Sequence, residues 1–168
     1  MDQNLDKFNL GILTISDTGS KGERKDASGD TIYRIMASEK WSLVLRDILP
    51  DEPKLVSDRL REWCDEGEVD VILTTGGTGL GPRDITPEAT RSILDFEVPG
   101  IPEAMRNQTL SNTPMAMLSR SVAGVRSGCL IINLPGSPKG VAETLEVAKT
   151  VIPHALEMIR GWRTHPLK

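Results

Sequence analysis

The stretch Val69-Asp-Val-Ile-Leu-Thr-Thr-Gly-Gly-Thr-Gly-Leu-Gly-Pro-Arg-Asp-Ile-Thr-Pro-Glu88 limits what this chain can fold into more than any other. Val69, Val71, Ile72 and Leu73 form a short apolar run rich in branched side chains, which reads as a strand buried on both faces of a parallel sheet. Thr74, Thr75, Gly76, Gly77, Thr78 and Gly79 then add almost no side-chain bulk. Such a turn lets a ligand approach backbone amides, and its hydroxyls could donate to phosphate oxygens. Thr86-Pro87 has the pattern of a helix start, with Thr86 as N-cap and Pro87 in the first turn. A helix start facing a glycine turn favours an anion. Asp84 stands between the two, where a carboxylate could hold a metal beside that anion. The spacing excludes the Walker phosphate loop, since no Lys follows the glycines, and it is not that of a dinucleotide fingerprint. A tight strand-to-helix turn without a ligand would use the same residues, and the local pattern leaves both readings open.

The rest of the chain supplies further strands of the same kind. Phe8 to Ile15 and Trp41 to Leu49 are apolar and strand-like, and Cys129 to Leu134 is the strongest strand signal of all. Helical patterns fall between them, at about Ser28 to Lys40, Lys54 to Glu66, from Pro87, and at about Pro102 to Ser111. Two more follow at Val141 to Val147 and Val151 to Ile159. Ala123 to Gly128 reads as a polar, glycine-bearing link, and Pro114 to Leu118 as a short apolar piece. Strands alternating with helices predict an α/β fold with a mostly parallel sheet covered on both faces. Right-handed crossovers would bring the carboxyl ends of the strands to one edge. Four loops would then meet there: Ser16–Gly22, Leu49–Pro53, Thr74–Asp84 and Leu134–Lys139. Asp17 and Ser16 could be site residues or plain turn chemistry. Asp51 could join the site or cap the next helix, with Pro53 just inside it.

With 168 residues the chain fits one domain, 1–168, with a loose tail expected over 161–168. A net charge of -4 is the wrong sign for a nucleic-acid binder. No apolar run is long enough to cross a bilayer, and the polar N-terminus has no signal-peptide core, so the expectation is a cytoplasmic protein. Cys64 and Cys129 belong to no metal or redox motif, and His154 and His165 lack the spacing of a zinc site. Two aspartates beside a glycine cradle suit magnesium and a nucleotide. Arg83, Arg120 and Lys139 could contact other phosphate oxygens or be solvated charges. No nucleophile paired with a base is visible, so the attacking group would belong to the substrate.

Several motifs together resemble those of the molybdopterin-binding family of molybdenum cofactor biosynthesis. They are Ile15-Ser-Asp17, Leu49-Pro-Asp-Glu52, Thr75-Gly-Gly-Thr-Gly79, Pro82-Arg-Asp-Ile-Thr-Pro-Glu-Ala-Thr90, Ala116-Met-Leu-Ser-Arg120 and Leu130-Ile-Ile-Asn-Leu-Pro-Gly-Ser-Pro138. The likeness runs in order from about Asn9 to Ile159 and is greatest to the Mog-type molybdopterin adenylyltransferases and the plant and animal G domains. It implies a three-layer α/β/α fold, a homotrimer, and adenylylation of molybdopterin by magnesium-ATP with release of pyrophosphate. It implies that Asp84 and Asp51 are the essential carboxylates that bind or orient Mg2+, and that Gly76, Gly77, Thr78 and Gly79, following Thr75, form the nucleotide turn. Ser119, Arg120 and the Pro135, Gly136 and Ser137 turn would help bind the pterin phosphate or pyran, and Asp17 would line the same cleft. A downstream molybdenum insertase would be a partner. The alternative within the resemblance is a MoaB-type protein that binds molybdopterin without turning it over.

Overall fold

The computed structural model describes residues 7–161; the expected tail, 161–168, beyond its first residue, and with it His165, lies outside the described residues. Six strands form one sheet in the order β2-β1-β3-β6-β5-β4. β1 (Phe8–Ile15), β2 (Trp41–Leu49), β3 (Val71–Thr75) and β6 (Cys129–Leu134) are parallel. β1, β3 and β6 are mostly apolar or branched, β2 mixes in Ser42, Arg46 and Asp47 at the sheet edge, and β3 and β6 are buried at every position. β5 (Ala123–Arg126) and β4 (Phe96–Glu97) close the other edge with antiparallel pairings.

Side-chain alternation divides the buried strands between two cores. Leu10, Ile12, Val71, Leu73, Leu130 and Ile132 face one layer of helices. That layer holds α2 (Ala27–Met36), α5 (Gly100–Thr109), α6 (Pro138–Ala148) and α7 (Ile152–Ile159), which contribute Ile32, Met105, Leu145 and Leu156. Leu13, Ile15, Ile72, Cys129 and Ile131 face the other layer. There α3 (Pro53–Asp65) contributes Val56, Leu60 and Trp63, and the six-residue α4 (Thr86–Arg91) contributes Ala89. The three-layer α/β/α architecture follows directly. Cys64 and Cys129 are buried free thiols in this second core. The Cys64 sulfur alongside and burial push the Cys129 thiol far up, so it is core packing.

Four expectations are corrected. Ala123–Arg126 is a strand, not a link: a two-residue turn, Ser127 (φ 47°) and Gly128 (φ 79°), folds β5 back on β6. Two positive φ angles in a row match the twist of a hairpin. Ser16–Gly22 is not all loop, because Asp17–Ser20 forms a helical turn, α1, whose N-cap Ser16 accepts from Gly19 N. The second helix starts at Ala27 behind the N-cap Asp26 and ends at Met36, short of the expected Lys40. Thr86 is not an N-cap: Ile85 holds that position, and the Thr86 hydroxyl is turned inward.

The register sets the functional rim. Ile15 pairs with Leu49, Thr14 with Thr75, and Thr75 with Leu134, so the four parallel strands end at nearly one level. From β1 the chain crosses to β2 on one side and later to β3 on the other, which opens a crevice at the carboxyl ends between β1 and β3.

Candidate active site at the strand carboxyl ends

Backbone and hydroxyl groups weld the loops of this rim together. Gly76 N donates to Leu134 O at 3.3 Å, and Thr75 Oγ1 donates to Pro135 O at 2.6 Å. The Thr86 hydroxyl donates to Gly76 O at 2.8 Å, and Ser28 Oγ donates to Gly136 O at 2.7 Å. Gly76 has φ 99°, and a Cβ there would lie 2.2 Å from Ile15 O, so only glycine lets β3 turn this close to β1. One further buried side chain braces the rim from below. Asn133 donates to Thr74 Oγ1 at 2.9 Å and Thr90 Oγ1 at 3.0 Å, and accepts from Val122 N at 3.3 Å.

The acidic residues divide their work. Asp17 and Asp51 exchange backbone bonds: Asp17 N donates to Asp51 Oδ2 and Asp51 N donates to Asp17 Oδ1, each at 3.0 Å. This corrects the capping alternative for Asp51, since Glu52 holds the cap position of α3 and has no side-chain cap bond. Asp17 is further clamped by Arg83, whose Nε and Nη2 donate to its two oxygens at 3.0 and 2.8 Å while Nη2 also reaches Glu52. The Arg83 guanidinium holds the Asp17 carboxyl below its ordinary range. Asp51 lacks such a clamp. Burial, with the Asp17 and Asp84 charges adding, pushes its carboxyl up despite the bond from Asp17 N. Asp84 accepts from Gly81 N at 2.8 Å.

Two cavities meet at the glycine turn. The smaller, about 240 Å³, is bordered by Asp51, Asp84, Arg24, Lys25, Thr75 and Gly76. The larger, about 480 Å³, is bordered on one side by Thr78, Gly79 and Ser119 and on another by Pro135 and Ser137. Apolar Pro102, Met105 and Leu118 also face it. Gly77, Asp84 and Gly136 border both. Asp51 and Asp84 therefore lie on the same rim and face one space.

Some expected roles shift. Thr75 borders the smaller cavity, but its Oγ1 donates to Pro135 O and is fully buried; Thr78, also buried, borders the larger cavity. Asp17 borders neither cavity and acts on Asp51 and Arg83 instead. Arg120 borders neither cavity: it donates to Gly79 O and Asp84 O, both at 2.7 Å, and pairs with Glu88, bracing the turn from behind. Lys139 is exposed and lies 3.9 Å from Glu143. The guanidinium that does border the larger cavity is Arg106, which donates to Ser119 O and Ser121 O. Its sequence signal is weak, a single basic residue in an amphipathic helix. Asp26 was also not legible as a site residue. Its side chain is 7% exposed, borders the smaller cavity, caps α2 and pairs with Arg46.

Fit to a divalent cation follows from the donor set. Asp26, Asp51 and Asp84 border the smaller cavity, and Asp26 is already engaged by Arg46 and the α2 cap, which leaves Asp51 and Asp84; no group of three or more His, Cys, Asp or Glu suited to a metal occurs among the described residues. Two hard oxygen donors with room for phosphate and water match magnesium rather than a metal needing a full protein cage.

Known proteins resemble this chain along most of its length. A family model described as "Probable molybdopterin binding domain" matches residues 11–154. The molybdopterin adenylyltransferase of Helicobacter pylori (strain J99) is 43% identical over 157 residues, spanning 92% of this chain and 89% of the relative. The molybdenum cofactor synthesis protein cinnamon of Drosophila melanogaster is 41% identical, but the chain spans only 26% of its length. The crystal structure of the molybdopterin biosynthesis enzyme MoaB from Thermus thermophilus is 52% identical, with a TM-score of 0.87 over 92% of this chain and 97% of that one. With the family model covering most of its length and the motifs that carry the likeness gathered at one rim, this chain belongs to the molybdopterin-binding domain family.

Proposed function

We propose that this chain catalyses the adenylylation of molybdopterin by magnesium-bound ATP, with release of pyrophosphate, in the biosynthesis of the molybdenum cofactor. The observation that carries the reading is the pair of cavities with a common wall at Gly77, Asp84 and Gly136. A reaction that joins two substrates needs two sites that meet where the bond forms.

The smaller cavity suits the triphosphate, because Arg24 and Lys25 border it together with Asp51 and Asp84. The larger suits the pterin, because Pro102, Met105 and Leu118 give it an apolar lining and Arg106 a cation for the phosphate. An oxygen of the molybdopterin phosphate attacks the α-phosphorus of ATP, and the bond from that phosphorus to the bridging oxygen breaks to release pyrophosphate. Asp51 and Asp84 would hold the magnesium ion, which when bound neutralises charge on the phosphate oxygens. The turn orients the phosphates through the amides after Gly76, whose own N–H is held by Leu134 O, since the six-residue α4 behind it is too short to act as an extended dipole. Asp17 and Arg83 position Asp51, and Arg120 holds the turn in place.

The names of relatives support the chemistry, as does the agreement between the cavity linings and the substrates. The same reading takes the protein as a cytoplasmic homotrimer that passes its product to a molybdenum insertase. No helix among the described residues is long and apolar enough to cross a membrane. Leu43, Val44, Phe96 and Met117 are exposed and could supply subunit contacts, which sedimentation would test.

The test of the chemistry is direct. Protein incubated with molybdopterin and magnesium-ATP should yield adenylylated molybdopterin and pyrophosphate, and Asp84→Asn should abolish both products while pterin binding survives. Pterin binding without product by the unaltered protein would reduce the role to that of a carrier.

A further inference from the structure

Glu143, on α6, borders the larger cavity and takes no part in the chemistry above. Its side chain is only 21% exposed, and the Lys139 ammonium one turn back approaches no closer than 3.9 Å and is itself in solvent. Such a pairing is loose and readily replaced. The neighbouring hydroxyls on that part of the wall are engaged: Thr109 donates to Met105 O and Thr144 to Gly140 O, both at 2.7 Å. A carboxylate with open acceptor capacity thus faces a largely apolar space, contributed by a different element from the glycine turn and Asp84.

We propose that Glu143 is the residue that selects the pterin, its carboxylate accepting the adjacent N–H donors of a 2-amino-4-oxopteridine ring. The inference rests on the reading that the larger cavity takes molybdopterin. The 2-amino group and N3–H of such a ring form a planar two-donor edge, which a carboxylate accepts in a paired, charge-assisted geometry. The corresponding edge of adenine places an acceptor beside its amino donor, and a carboxylate repels that acceptor. One side chain therefore both binds the correct ring and keeps the nucleotide base in the other cavity. Met105, Leu118 and Pro102 provide the apolar surface for the ring faces.

The experiment compares Glu143→Gln with the unaltered protein in steady-state kinetics and in binding of two free rings, 2-amino-4-oxopteridine and 2,4-dioxopteridine. The amide keeps the shape but replaces one acceptor by a donor. The expected result is a KM for molybdopterin raised roughly 10- to 100-fold, with kcat and the KM for ATP unchanged. The unaltered protein should prefer the amino ring roughly tenfold or more, and Glu143→Gln should lose that preference. An unchanged KM for molybdopterin, or equal binding of both rings by the unaltered protein, overturns the role of Glu143. Ala116→Trp, which adds bulk to the wall of the same cavity, tests the underlying reading separately. It should raise the KM for molybdopterin and spare ATP; the reverse would place the pterin elsewhere and overturn both.

Discussion

Replacing Gly76 by alanine tests the joint on which the rim depends. Gly76 sits at φ 99°, and an added Cβ would stand 2.2 Å from the carbonyl oxygen of Ile15, a backbone atom that cannot rotate away. The unfavourable φ costs about 1–2 kcal/mol for an L-residue. Relieving the collision demands backbone displacement by about 1 Å, comparable to overpacking a core at about 1–3 kcal/mol. The stiffer unfolded chain returns about 0.4–1 kcal/mol. The net loss is about 3 kcal/mol, or about 6–12 °C in Tm for a protein of this size. Gly22 is the control: its φ is 72° but nothing lies within 4 Å of an added Cβ, so Gly22→Ala carries only the backbone term and should cost about 1 kcal/mol or less. Denaturant unfolding followed by circular dichroism, at one fixed protein concentration, gives both values. Adenylylation should fall by about 100-fold in Gly76→Ala, because the turn amides move with the backbone. If Gly76→Ala proves no less stable than Gly22→Ala, the turn yields freely and the close approach of β3 to β1 does not hold the site together.

Other outcomes follow from the same geometry. Asp51→Asn should raise Tm at neutral pH while removing activity. Burial raises the folded-state pKa of Asp51, so the carboxylate form opposes folding: stability falls as pH rises from the unfolded value through the folded one, and the amide escapes that loss. A Tm profile against pH that is the same in the variant and the unaltered protein would contradict this. Arg120→Lys should lower activity about as much as Arg120→Ala. An ammonium cannot span Gly79 O, Asp84 O and Glu88 as the guanidinium does, and full activity of the lysine variant would show that only charge matters. Asn133→Leu should cost about 3 kcal/mol in denaturant unfolding, because it strands Val122 N and two threonine hydroxyls in the core, and a loss below about 1 kcal/mol would mean that those groups find other partners.

The sequence by itself determined the layers and the rim. Runs such as Val71–Thr75 and Cys129–Leu134 are too apolar and too short for anything but strands buried on both faces, and the helical stretches between them force parallel crossovers. With the strands parallel, Gly76, Asp51, Asp84 and Pro135 had to arrive at one edge. Short-range signals were less complete. β5, Ala123-Gly-Val-Arg, has little strand propensity of its own and exists because Ser127-Gly128 folds it onto β6, though that dipeptide was a readable turn signal.

What only the tertiary structure decided is the partner of each polar side chain. Asp51 looked like a cap because its local neighbours suit one, yet its backbone and carboxylate bond to Asp17, 34 positions away. Arg120 looked like a phosphate ligand, yet the carbonyls it holds lie 36 and 41 positions back, and Arg106 has the place at the cavity. Hydrophobic burial depends on periodicity, which a sequence displays. A hydrogen bond or ion pair depends on a few tenths of an ångström between residues distant in the chain, which only the packed fold can fix.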